Sequence, residues 1–115
     1  MNRQRRAVLN AVLDELKRLR NPIQKDEAIV ILEKAQSDVE MCADEEQDAL
    51  DNRPETFQFS ASNDDMEANV SDLCDAGDTL SDLVIICNES ETYDYEAIKK
   101  YMAEIVNNIK QAIHR

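Results

Sequence analysis

The stretch IKKYMAEIVNNIKQAI, residues 98–113, decides the fold class. Ile98, Tyr101, Met102, Ile105, Ile109, Ala112 and Ile113 recur at steps of three and four, which places them on one face of a helix with 3.6 residues per turn. The same spacing appears three more times upstream. From about residue 2 to 20 the stripe is Val8, Leu9, Val12, Leu13, Leu16 and Leu19, and Asn21-Pro22 ends it, because a residue before proline avoids helical backbone angles. From about 24 to 50 it is Ile29, Leu32, Val39, Ala43 and Leu50. From about 63 to 87 it is Met66, Val70, Leu73, Leu80, Val84 and Cys87, with Gly77 on the same face and expected to admit a close helix contact. The last helix should span about 92–113.

Punctuation supports this division. Ser62 or Asn63 is the expected N-cap of the third helix, with Asp64, Asp65 and Glu67 favoured in its electropositive first turn. Asn88 with Glu91, or Thr92, is expected to cap the fourth. Residues 52–62 form the longest connection, and Phe57 and Phe59 are expected to pin it over the end of the molecule. One Gly, two Pro and 33% charged residues favour long helices over a turn-rich sheet. A chain of 115 residues suits one domain, residues 1–115, able to bury about two-thirds of its unfolded surface without metal or disulfide. The expected fold is therefore all-α, an antiparallel up-down bundle of four helices. A coiled-coil-like homodimer is the competing architecture, since long stripes also pair between chains.

Cys42, Cys74 and Cys87 are odd in number, widely spaced and without a C-x-x-C, which reads as reduced residues on the core side. The basic start, Arg3, Arg5 and Arg6, is not followed by an apolar run of signal-peptide length. The longest such run, Leu83 to Cys87, is far too short to span a bilayer. A cytoplasmic location in a host bacterial cell is expected.

The net charge of −12 repels naked nucleic acid and anionic membranes, and selects basic protein surfaces as partners. Residues 1–22 carry +4, 23–60 carry −8, 61–92 carry −9 and 93–115 carry +1. The acidity thus belongs to the two middle helices. At about 100° per residue, Asp64, Asp72, Asp75, Asp78 and Asp82 fall opposite the apolar face of the third helix. Asp26, Glu33, Glu40, Asp44, Asp48 and Asp51 form a similar row on the second. Steps of three and four set carboxylates roughly 5–6 Å apart along the axis, comparable to successive phosphates on a DNA strand. Like charges so spaced destabilise a helix by a few tenths of a kcal/mol per pair. Yet the third helix has no Lys or Arg between Asn63 and Cys87 to relieve them.

The middle of the chain resembles a known group. Asp44-Glu45-Glu46-Gln47, then Asp51-Asn52-Arg53-Pro54-Glu55 with Phe57-Gln58 and Ser60, then Met66-Glu67 with Leu73, Ala76 and Leu80, is similar to small acidic helical proteins of phages and mobile elements. These carry a D-N-x-P-E-x-h-Q segment (h apolar) between two acidic helices. The resemblance covers about residues 44–83; Arg53 stands where an apolar residue is commoner, and the Phe59–Asp65 stretch departs as well. It implies a phage or mobile-element origin, a setting in which small acidic helical proteins inhibit host nucleases and DNA-binding defence systems. It transfers no catalytic residue.

Enzymatic readings are weaker. Glu45-x-x-Asp48, Asp72-x-x-Asp75 and Asp75-x-x-Asp78 resemble the Mg²⁺-binding pairs of helical nucleotide pyrophosphatases, but they lie opposite the apolar faces and so point to water. A di-iron bundle needs two Glu-x-x-His motifs, and His114 is the sole histidine. The expectation is a non-enzymatic module without cofactor or metal. Its carboxylate rows would mimic nucleic acid and block the basic cleft of a nuclease or defence protein, as an anti-CRISPR inhibitor does. The rival is a passive phage structural, scaffold or assembly protein whose charge only confers solubility.

Overall fold

The computed structural model describes residues 1–115 apart from residues 58 and 59 and the side chain of Phe57, so the expected role of Phe57 and Phe59 lies outside the described residues. Among the described residues four α-helices follow one another: α1 (Arg3–Lys17), extended by a 3₁₀ turn to Arg20, α2 (Lys25–Asp51), α3 (Ala61–Glu89) and α4 (Tyr95–His114). Among the described residues there is no strand, and no helix is long and apolar enough to cross a membrane.

Three of the four helices begin where a side chain caps their unpaired amides, and α2 begins after Gln24 without such a cap. Asn2 caps α1 by accepting from the Arg5 amide at 2.8 Å. Asp26 and Glu27 stand in the first turn of α2, favourable against its macrodipole. At α3 the cap is Ser60, whose hydroxyl accepts from the Asn63 amide at 3.1 Å, in place of the expected Ser62 or Asn63. The helix therefore starts earlier and takes Asn63 inside, where it is buried and donates to Glu67. At α4 the cap is Asp94, accepting from the Glu96 amide, because α3 runs on to Glu89 and absorbs Asn88. Lys25 closes the far end of α3: its ammonium donates to the carbonyls of Asn88 (3.1 Å) and Ser90 (2.6 Å), a cation on the negative end of the helix dipole.

The helices pack in the order α1–α2–α3–α4–α1, with α2 against α3 the most extensive pair. Directions alternate. Arg5 near the start of α1 meets Glu46 near the end of α2, which meets Asn69 near the start of α3, which meets Arg115 after α4. At the opposite end Arg18 pairs with Glu27, and the Tyr93 hydroxyl donates to the Leu19 carbonyl. The bundle is up-down and 53 Å long, because α2 and α3 outrun their partners and project as a two-helix hairpin past Glu46 and Asn69.

The four stripes meet in one core within a single chain. Leu9, Leu19, Leu32, Leu73, Leu80, Leu83, Ile105 and Ile109 are fully buried. Each burial is worth about 1.5–3 kcal/mol against exposure. Tyr101, expected inward, is partly exposed on the flank of α4. Cys42 and Cys87 are buried as expected; Cys74 is exposed, because it follows the core position Leu73 by one residue and turns about 100° away.

Candidate functional site: an acidic two-helix face and the polar node at its base

On α2, Asp26, Glu33, Glu40, Asp44, Asp48 and Asp51 are all exposed, on the side opposite Ala28, Ala35 and Val39. On α3, Asp64, Asp75, Asp78 and Asp82 are exposed opposite Leu73, Leu80 and Cys87. Among the described residues none of these ten carboxylates has a cationic partner within 4.0 Å. Asp72 leaves the row. Its side chain is 18% exposed and stands 2.8 Å from Arg115 Nη2, a charge contact whose angle does not make it a hydrogen bond. One residue before buried Leu73, Asp72 lies on the α4-facing flank rather than on the crest.

The two rows form one face because α2 and α3 run antiparallel in close contact. Gly77 lies in this seam, where a Cβ would stand 3.3 Å from Glu40 Cγ. The Cys74 thiol records the local field. Its pKa is raised, first by burial and then by Asp78, Asp44, Asp75 and Glu40, two carboxylates from each helix. The negative potential therefore spans the α2/α3 seam.

At the base of the hairpin lies a group that the charge rows do not include. Glu46 is fully buried, in register with Ala28, Ala35, Val39 and Cys42. Its Oε1 accepts from Arg5 Nη2 at 3.0 Å and its Oε2 from Asn69 Nδ2 at 2.9 Å, with the Met1 amino group 3.8 Å away. Asn69, also buried, accepts in turn from Arg115 Nη1 at 3.1 Å. Arg5 further approaches Glu45 at 4.0 Å, while its buried Nε finds no acceptor. One polar node thus joins the first turn of α1, α2, α3 and the residue after α4. Sequence offered a signal for it: Glu46 follows Val39 by seven and Cys42 by four, a carboxylate in the apolar stripe.

Of the carboxylates that the sequence offers as metal ligands, all but Asp72 point outward. Glu45 is about half exposed beside Arg5, Asp72 faces Arg115, and Asp48, Asp75 and Asp78 are exposed. Among the described residues no group of three or more His, Cys, Asp or Glu is placed to hold a metal ion. In the resembling segment, Arg53 lies across the start of α3, its Nη1 donating to Ser62 Oγ at 3.0 Å. No protein-family model, curated protein or solved structure matches the chain.

Proposed function

We propose that the α2/α3 face is a protein-interaction surface that imitates a nucleic-acid backbone and occupies the basic cleft of a nucleic-acid-binding protein, such as a nuclease or defence effector. The observation that carries this reading is the continuous face of ten exposed carboxylates on two adjacent helices, with no cation paired to any of them among the described residues. A face kept only for solubility gains nothing from excluding lysine, and mixed charges would spare the like-charge cost. The face is rigid, set on long helices over a shared core, so a partner meets a preformed charge array. Exposed charge of this kind acts mainly by steering encounter. The resemblance to phage and mobile-element proteins fits inhibition of a host enzyme, with no chemistry performed by this chain.

The test replaces Asp44, Asp75, Asp78 and Asp82 together with Asn. Asp72 is spared because it holds Arg115. A nucleic-acid-binding protein captured by the wild-type chain from bacterial lysate is then titrated with both forms. Association should slow by about tenfold or more with thermal stability unchanged, and duplex DNA should displace the wild-type chain. Equal binding of the variant, or a complex that saturating DNA leaves intact, would sink the reading.

A further inference from the structure

The side of the bundle opposite the acidic face has the complementary character. Where α1 and α4 meet, an open groove of about 410 Å³ runs from Arg20 and Tyr95 to Lys110. Met102 and Val106 lie along its floor, which adjoins a smaller recess of about 50 Å³ beside Leu13 and Leu16. Arg20, Lys99 and Lys110 line the groove and Lys17 the recess, and no carboxylate lines either. The cations are weakly engaged: Lys17 and Lys99 make only exposed i,i+3 contacts, at 3.6 Å to Asp14 and 3.9 Å to Glu96, and Arg20 and Lys110 have no ion pair among the described residues. The groove is too open to enclose a small ligand, which sites of that kind bury over most of its surface. Its open shape over an apolar floor suits a helix.

We propose that this groove receives the acidic α2/α3 face of a second copy of the chain. Three features favour that occupant. Lys99 and Lys110 are eleven residues apart on one face of α4, as Glu33 and Asp44 are on α2, about 16 Å in each case. The acidic face is not purely polar: Met41 (43% exposed) and Ile85 (53%) stand among its carboxylates and supply apolar contacts for the floor. The packing order puts groove and face on opposite sides of each copy, so the contact is heterologous and one copy can engage two neighbours. Growth is limited by repulsion between chains of net charge −12. Self-association covers the face that an outside partner would use, but it does not depend on that partner.

Two variants test this. One neutralises the groove (Arg20→Gln, Lys99→Gln, Lys110→Gln) and the other the face (Glu33→Gln, Glu40→Gln, Asp44→Asn). All six residues are exposed, so circular dichroism should be unchanged. In sedimentation velocity at about 0.15 M salt, the wild type should associate as its concentration rises toward 1 mM, the weak end of specific affinity. Each variant alone should associate at least about tenfold more weakly. This holds even for the face variant, whose net charge falls from −12 to −9 and whose general repulsion is therefore smaller. An equimolar mixture should recover a 1:1 dimer, because the intact face of one variant meets the intact groove of the other. A wild type that stays monomeric at about 1 mM overturns the proposal and leaves the groove to an acidic helix of another protein. Variants that associate like wild type, or a mixture that recovers nothing, also overturn it.

Discussion

Burying a carboxylate costs several kcal/mol of hydration unless partners replace the water. Glu46 has those partners in Arg5 and Asn69, so the favourable balance depends on keeping all three. Glu46→Gln keeps the shape but leaves the Arg5 guanidinium without its buried counter-charge. It should cost about 3–5 kcal/mol in urea unfolding, whereas Asp48→Asn, on the exposed row, should stay within about 0.5 kcal/mol. Comparable losses from both would refute the distinction. The position of Glu46 was legible in the stripe, but its partner was not. Arg5 lies 41 residues away, and no spacing rule reaches across helices. Asp72 shows the same limit, since only the arrival of Arg115 turns a surface aspartate into a pairing group. The cysteines separate likewise. Cys74 should react with a maleimide well before Cys42 and Cys87, and equal rates would contradict their burial. Burial first, then Glu45, pushes the Cys42 thiol from 9.0 to about 11. The folded form thus holds its proton more tightly than the unfolded chain. The stabilisation from this group is full below pH 9 and lost as pH rises through 11. Between pH 8 and 11 the melting temperature of Cys42→Ala should fall less steeply than that of wild type.

The helices themselves were legible because each stripe runs long enough for its period to be read, and because the two prolines fall only between them. Caps were less legible. Ser60, Ser62 and Asn63 are all competent N-caps, and choosing among them depends on which register buries Asn63 and Asn69. Gly77 on the inward face predicts a close helix approach, and α2 does come near. The atoms it nears, however, are the flexible stem of Glu40, whose carboxylate is exposed. Removing a mid-helix glycine favours the helix by up to about 1 kcal/mol. A small swing of Glu40 should accommodate the new methyl. Gly77→Ala should therefore raise stability by about 0.5 kcal/mol, and a loss of more than about 1 kcal/mol would show that the seam cannot give.

At the scale of the molecule, charge and topology reinforce each other. The up-down order sets the basic first and last helices side by side and the acidic middle pair opposite them, so a chain of net charge −12 is strongly two-sided. That segregation was visible in the sequence once four helices were assumed; the groove between α1 and α4 was not, because it depends on how tightly their flanks close. The polar node carries a further consequence, for the order of events in folding. Contacts beside the connections of the α1/α2 and α3/α4 hairpins close short loops and form early, whereas the node lies at the open ends of both: Glu46 gains Arg5 from 41 residues away, and Asn69 gains Arg115 from 46. The node should thus be assembled after the rate-limiting barrier, and act as a lock on the finished bundle. In a stopped-flow chevron, Glu46→Gln should leave the folding limb nearly unmoved and place almost all of its loss in faster unfolding. A chain so built should collapse at a speed set by its local hairpins, with its buried carboxylate slowing the opening of the finished bundle.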